Sequence, residues 1–185
     1  METAERELAL HHLAASRERL LRAVEGLSEE QRSFRVAEDR WSVADCVEHL
    51  VVVEAFVFGT MKRVLAGPPE PAKQAEVRGK EQVILEAVPS RNRKVKGPAA
   101  VMPTQRWPRF EELLREFETV RGRTVQFATE TQDDLRSHFF PHPILADLDC
   151  YQWLLFLGTH CERHVRQLEE VKADPGFPRS VGMGA

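Results

Sequence analysis

Long hydrophobic runs are missing from this sequence. No stretch of about 18 consecutive apolar residues occurs in the chain, so a membrane-spanning helix is not expected. Charge of one sign is not concentrated either, because the formal net charge is −3 and basic and acidic residues are mixed along the 185 residues. The basic stripe of a nucleic-acid-binding protein is therefore absent, and no nucleic-acid partner is expected.

Cysteine is also scarce. Cys46, Cys150 and Cys161 form an odd set that lacks the spacing of a disulfide framework. The first six residues mix acidic and basic side chains, unlike a signal peptide, which has a basic start and then an apolar stretch. These features predict a cytoplasmic protein with reduced thiols. Its length and its hydrophobic fraction of 42% predict one folded domain over residues 1–185.

Four segments carry the apolar periodicity of an α-helix. We predict helices over about residues 5–24, 42–64, 110–124 and 147–172. Ser42 is a suitable N-cap for the second helix, and Asp45 completes a capping box. No alternating pattern typical of a β-strand is evident, so the predicted fold class is all-α.

A proline-rich segment separates the second and third predicted helices. Residues 68–108 contain seven of the eleven prolines, which excludes regular structure over most of this length. A connection this long can carry the chain from one end of a bundle to the other. We therefore predict a four-helix bundle with a long Pro-rich crossover, in which helices 2 and 3 run in the same direction.

Two histidines lie four residues apart in the fourth predicted helix. This spacing places the rings of His160 and His164 on one helical face. The same face carries apolar residues, so both rings are predicted to face the core. His49 is the natural third member, because it shares a face of the second helix with Val52, Val53 and Phe56.

Buried imidazoles need hydrogen-bond partners or a metal ion, because an unsatisfied buried polar group costs a few kcal/mol. Three imidazoles with an open fourth position suit zinc or nickel. Core histidines that bond to backbone carbonyls and to each other are the alternative. The zincin motif does not fit, because Cys161 rather than glutamate follows His160. No general base stands out, so catalytic residues stay unassigned.

The sequence resembles the DinB/YfiT-like superfamily at these motifs. Trp41-Ser42 leading into Val47-Glu48-His49-Leu50 is similar to the second-helix motif of that family. The stretch from His142-Pro143 through Gln152-Trp153-Leu154 to His160, His164 and Gln167 is similar to its fourth-helix motif. The resemblance covers essentially the whole chain. It implies a four-helix bundle, often a homodimer, in which His49, His160 and His164 bind one divalent ion, nickel or zinc.

The resemblance also implies classes of activity. Characterised relatives are transferases or isomerases that use bacillithiol, mycothiol or glutathione. A metal-dependent thiol S-transferase acting on a small-molecule substrate is therefore the first hypothesis. A metal-dependent hydrolase that uses a metal-bound hydroxide is the second. The third is a non-catalytic bundle in which the metal is structural, or an interaction module.

Three further residues have two interpretations each. Arg121, on the apolar side of the third helix, is either an ion-pair partner for a carboxylate such as Glu54 or an anion clamp near the metal. Asp45 either serves only as a cap or orients His49. His142, in the predicted loop before the fourth helix, is either an ordinary loop residue or an acid or base.

A short basic cluster lies within the crossover. It is predicted to be a solvated loop, or alternatively to attract an anionic thiol substrate. Its members are Arg91, Arg93, Lys94 and Lys96.

Overall fold

The computed structural model describes residues 1–92 and 97–179. The elements in chain order are α1 (Thr3–Val24), α2 (Glu29–Ser33), α3 (Val43–Leu65), α4 (Gln74–Val77), α5 (Lys80–Ala87), α6 (Phe110–Glu130), β1 (Phe139–His142), β2 (Ala146–Asp149) and α7 (Cys150–Lys172). Short 3-10 turns occur at Pro71–Lys73 and Ala99–Val101. Among the described residues, no helix combines the length and hydrophobicity that crossing a membrane requires.

The predicted all-α fold class is confirmed, because α1, α3, α6 and α7 correspond to the four predicted helices. The start of α3 follows the predicted capping chemistry. The Ser42 side chain accepts a hydrogen bond from the backbone N–H of Asp45, and the Asp45 carboxylate accepts one from the backbone N–H of Ser42. This reciprocal pair satisfies two N–H groups that the first helical turn would leave unbonded.

The segment before α7 differs from the prediction, which contained no strand. Phe139–His142 pairs antiparallel with Ala146–Asp149, and α7 therefore begins at Cys150 rather than near Asp147. Each strand has only four residues and β1 contains Pro141, so no alternating pattern was available in the sequence. Asp149 ends the hairpin and caps α7, since its side chain accepts from the backbone N–H of Gln152.

Two core clusters define the directions of the long helices. One cluster joins the first half of α1 and of α7 to the second half of α3 and to Ala128, near the end of α6. The other joins the second half of α1 and of α7 to the first half of α3 and of α6. Consequently α3 and α6 run in the same direction, as the long crossover predicted, and α1 and α7 run opposite to them.

The neighbours of each long helix define the arrangement of the bundle. Helix α1 packs against α6 and α7, and α3 packs against the same two helices, so α1 and α3 lie diagonally opposite each other. The crossover packs α5 on α7 and its second 3-10 turn on α3. The crossover therefore covers the groove between α3 and α7, where the histidines lie.

A close approach of α1 and α7 at Gly158 supplies a test of this packing. A Cβ atom at Gly158 would lie 2.8 Å from the Cβ of His12 and 2.9 Å from its backbone carbon. We expect Gly158→Ala to destabilise the fold by about 1–3 kcal/mol, because α1 must move away. Chemical denaturation measures this change.

Gly59 in α3 is the matched control, because a Cβ atom there would contact nothing within 4 Å. Gly59→Ala is expected to be neutral or to stabilise the helix by up to about 1 kcal/mol. Equal destabilisation by the two substitutions would contradict the close packing of α1 on α7.

Candidate metal centre

The three predicted ligands lie together in the groove between α3 and α7. His49 projects from α3, and His160 and His164 project from successive turns of α7. One ring nitrogen from each residue can be chosen so that all three lie within 4.8 Å of one another. His49 and His164 are buried and His160 is partly exposed, so the cluster is open on the His160 side.

The crossover fixes the orientation of His49. Its Nδ1 atom lies 2.7 Å from the backbone oxygen of Val101, in the second 3-10 turn. Because a carbonyl oxygen only accepts, Nδ1 carries the hydrogen and Nε2 keeps its lone pair. Histidine ligands of metal ions in proteins are commonly oriented by such a bond.

The spacing of His160 and His164 is compatible with a shared ion. Their Nε2 atoms are 3.2 Å apart. Two ligands of a tetrahedral ion bound at about 2.0–2.1 Å are separated by about 3.3 Å. The same distance also fits a direct hydrogen bond between the two rings, but that bond would leave the Nε2 lone pair of His49 without a partner. A shared cation would accept all three lone pairs.

The Nδ1 atoms of the three histidines differ in their hydrogen bonding. The Nδ1 atoms of His160 and His164 are buried and have no hydrogen-bond partner among the described residues. A structural pair bonded to backbone carbonyls would satisfy these atoms. Among the described residues, only the Nδ1 atom of His49 has such a carbonyl. An ion held by the Nε2 atoms would also leave the Nδ1–H groups of His160 and His164 without a protein partner, so these atoms do not decide between the two interpretations.

Burial lowers the pKa of all three histidines. For His49, the bond to Val101 opposes this effect only in part. For His160 and His164, burial is the main cause and the neighbouring histidines lower the pKa further. Since an imidazole must be neutral to bind a metal ion, the cluster is in its binding form at neutral pH.

Aromatic rings enclose the cluster. The Trp41 ring centroid lies 4.8 Å from that of His49, and the ring stacks on His164 at 5.8 Å. Phe156 stacks on His160 at 4.9 Å. The sequence analysis named Trp41 only as part of the family motif and gave it no role at the cluster. Its place in the Trp41-Ser42 motif, eight residues before His49, was the sequence signal from which this second role could have been predicted.

Glu48 holds the crossover beside the cluster. Its buried carboxylate accepts hydrogen bonds from the backbone N–H groups of Thr104, Gln105 and Arg106, at 2.8, 2.9 and 3.3 Å. Gln105 has a positive φ of 59°, which turns these N–H groups toward one acceptor. Glu48 and His49 are adjacent in α3, so two successive side chains bind the same crossover segment. Sequence reasoning missed this role of Glu48.

Two of the residues with open interpretations belong to the structural framework. Asp45 bonds to Ser42 and pairs with Arg35, and it makes no bond to His49. Arg121 is fully buried and forms an ion pair with Glu54, so it is not an anion clamp at the cluster.

The three cysteines and Arg91 do not belong to the histidine constellation. Cys46, Cys150 and Cys161 are buried, and burial raises the pKa of each thiol, so they remain protonated at neutral pH. Arg91 bonds to Gln167 and Glu170 of α7. Arg93, Lys94 and Lys96 lie outside the described residues.

The fold and the cluster define a class: four-helix bundles with a parallel crossover and three histidines between the second and fourth long helices. Residues 12–168 match the DinB superfamily, and the chain belongs to that superfamily. The predicted resemblance is therefore confirmed.

Two relatives in Bacillus subtilis add to this result. The uncharacterised protein YuaE of strain 168 is 27% identical over 149 residues, which cover 80% of this chain and 88% of YuaE. The solved structure of YfiT matches with a TM-score of 0.64 at 15% identity, over 93% of this chain and 88% of YfiT. YfiT is described as a probable metal-dependent hydrolase with an unusual four-helix bundle topology. At this identity the likeness concerns the fold alone.

Proposed function

We propose that this chain binds one divalent ion, zinc or nickel, through His49, His160 and His164, and uses it in catalysis. The observation that carries this proposal is the convergence of three neutral imidazoles within 4.8 Å, with one side of the cluster partly exposed. Such an ion lowers the pKa of a bound water or thiol and so supplies a nucleophile near neutral pH.

The neighbouring residues would orient and shield the site. The Val101 carbonyl holds His49 in the tautomer that presents Nε2. Trp41 and Phe156 exclude water from two sides of the imidazoles. Glu48 is fully used by backbone N–H groups, and the three thiols are buried and protonated. None of these groups is available as a base or nucleophile, which supports a reaction that depends on the ion.

Hydrolysis is the first activity that we propose. YfiT, which shares the fold, is described as a probable metal-dependent hydrolase. Among the described residues, none of the side chains discussed above is free to form a covalent intermediate, which is compatible with direct attack by water.

Thiol transfer is the second candidate. Burial and the neighbouring histidines lower the pKa of His164, and Arg91 and Arg163 add to this lowering. Positive charge on this side of the cluster would favour an anionic thiol such as bacillithiol, mycothiol or glutathione. A homodimer, expected from the family, is part of the same proposal and is tested by the mass in solution.

One set of assays distinguishes these activities. Protein purified without an affinity tag and loaded with zinc or nickel is tested for hydrolysis of p-nitrophenyl acetate, and for conjugation of monobromobimane with each thiol. Hydrolysis that needs no thiol supports the first activity, and conjugation that needs both metal and thiol supports the second. Equal rates for wild type and His164→Ala would contradict a catalytic role of the cluster.

If the metal has a non-catalytic role, we expect different results. Metal removal would then lower the unfolding temperature, while broad screens of esters, amides, phosphates and thiol acceptors would show no metal-dependent turnover.

A further inference from the structure

The hairpin before α7 fixes the tautomer of His142. Its Nδ1 atom accepts hydrogen bonds from the backbone N–H groups of Ile144 and Leu145, both at 3.1 Å. A ring nitrogen that accepts two N–H groups carries no hydrogen, so the hydrogen of the neutral ring lies on Nε2. No hydrogen bond joins that Nε2 to another described residue, and the atom is not buried.

His142 belongs to the same cluster of aromatic rings as the metal centre. Its ring contacts Phe156 with centroids 4.8 Å apart, and Phe156 stacks on His160 at 4.9 Å. The Phe156 ring therefore contacts both histidine rings. The centroids of His142 and His160 are less than about 10 Å apart, because the two centroid distances together set the upper limit. His142 also contributes to the lowered pKa of His160, after burial and His49.

Phe56 is an exposed apolar residue on the same helix as His49. Phe56 was predicted to lie in the core, on the face of His49, but it is 56% exposed. It lies two helical turns beyond His49 along α3, toward the hairpin, because α3 and α7 are antiparallel. The hairpin strand β1 packs on α3, and Phe140 of β1 belongs to the core cluster that contains the second half of α3.

We propose that His142 is a specificity-determining hydrogen-bond donor whose Nε2–H binds an acceptor oxygen of the substrate. The reacting group would lie at the three histidines, an apolar spacer would lie along Phe156 and Phe56, and a carbonyl or carboxylate oxygen would bind at His142. The substrate class is a small amphiphilic molecule whose second oxygen group lies on the order of 10 Å from the reacting group, the scale set by the spacing of the two rings. This inference rests on the proposed metal centre.

A donor role fits His142 better than an acid or base role. Protonation of Nδ1 would break two backbone hydrogen bonds at once. Burial lowers the pKa of His142 to about 4, so the ring stays neutral at physiological pH. A neutral imidazole can still donate a hydrogen bond and polarise a carbonyl group.

His142→Asn is the informative variant. The asparagine oxygen can accept the same backbone N–H groups, as in an Asx turn, while its shorter side chain has no N–H group at the position of the Nε2–H donor. Zinc-loaded wild type and variant are titrated with acetohydroxamate and with hydroxamates that carry a terminal carboxylate on spacers of increasing length. We expect one spacer length to bind wild type about 10-fold tighter or more than acetohydroxamate does.

The outcomes separate this inference from the metal proposal. In His142→Asn, we expect the carboxylate-bearing hydroxamate to bind no more tightly than acetohydroxamate, while the affinity for acetohydroxamate itself stays unchanged. An advantage that persists in the variant, or no advantage at any spacer length in wild type, would overturn the role of His142. Failure of acetohydroxamate itself to bind would remove the metal centre, and this inference with it.

A measurement on the wild-type protein does not depend on the variant folding. Heteronuclear NMR of isotope-labelled histidine reports the tautomer of each ring. We expect His142 to show the Nε2–H form without titrating near the ordinary pKa of histidine. An Nδ1–H form, or titration near that ordinary pKa, would overturn the proposed donor.

Discussion

His164→Ala is expected to lower the affinity for zinc or nickel at least about 100-fold, because loss of a partner that only orients a ligand already costs about 10–100-fold. His164 supplies one of three convergent nitrogens, and alanine leaves two. His49→Ala is expected to have a similar effect from the other helix. Elemental analysis of protein purified without a tag, with competition against a chelator, measures the change.

His11→Ala is the matched control for this prediction. His11 is exposed on α1 and does not belong to the cluster, so its substitution should leave metal affinity unchanged. Circular dichroism of each metal-free variant shows whether the bundle persists. Wild-type affinity in His164→Ala, or an equal loss in His11→Ala, would refute the assignment of the ligands.

Arg121→Met is expected to destabilise the protein by about 3–5 kcal/mol, the usual effect of removing one member of a buried ion pair. Both side chains of the pair are almost fully buried, and Arg121 also donates to the Leu13 carbonyl and to the Ser16 hydroxyl. Methionine would leave the Glu54 carboxylate in the core without its partner. The free energy of unfolding in denaturant measures the loss.

The double variant Arg121→Met/Glu54→Leu is the control. Replacing a whole buried ion pair by apolar residues is often neutral or stabilising, so we expect the double variant to recover most of the loss. Its metal affinity should equal that of wild type, because neither residue belongs to the histidine cluster. A double variant less stable than Arg121→Met would contradict the view that the unpaired carboxylate causes the loss.

Local chemistry made much of the fold predictable. The apolar periodicity located the four long helices, and Ser42 with Asp45 located the start of α3. The length of the proline-rich segment predicted that α3 and α6 run in the same direction. His160 and His164 were paired by their spacing and their apolar helical face, and His49 was added because it also lies on an apolar face. Their identity as metal ligands remains a prediction.

Contacts distant in the sequence were not predictable in this way. His49 and Val101 are 52 residues apart, and Glu48 meets Thr104 across 56 residues. No local pattern records which loop carbonyl or N–H group will reach a given helix. The prediction that Phe56 lies in the core was wrong. Helical periodicity identifies the apolar face of a helix but not how far along that face other elements pack. The hairpin was missed because its strands are too short to show a pattern.

The attachment of the crossover to α3 has a consequence for how the ion is held. Helix α7 sets the spacing of His160 and His164 by itself, but the tautomer of His49 depends on a turn that Glu48 keeps in place. Conditions that detach this turn from α3 should therefore also lower the fraction of protein that holds an ion at the three histidines. Mild stress that loosens the turn, while the four helices stay folded, would release the ion before the protein melts.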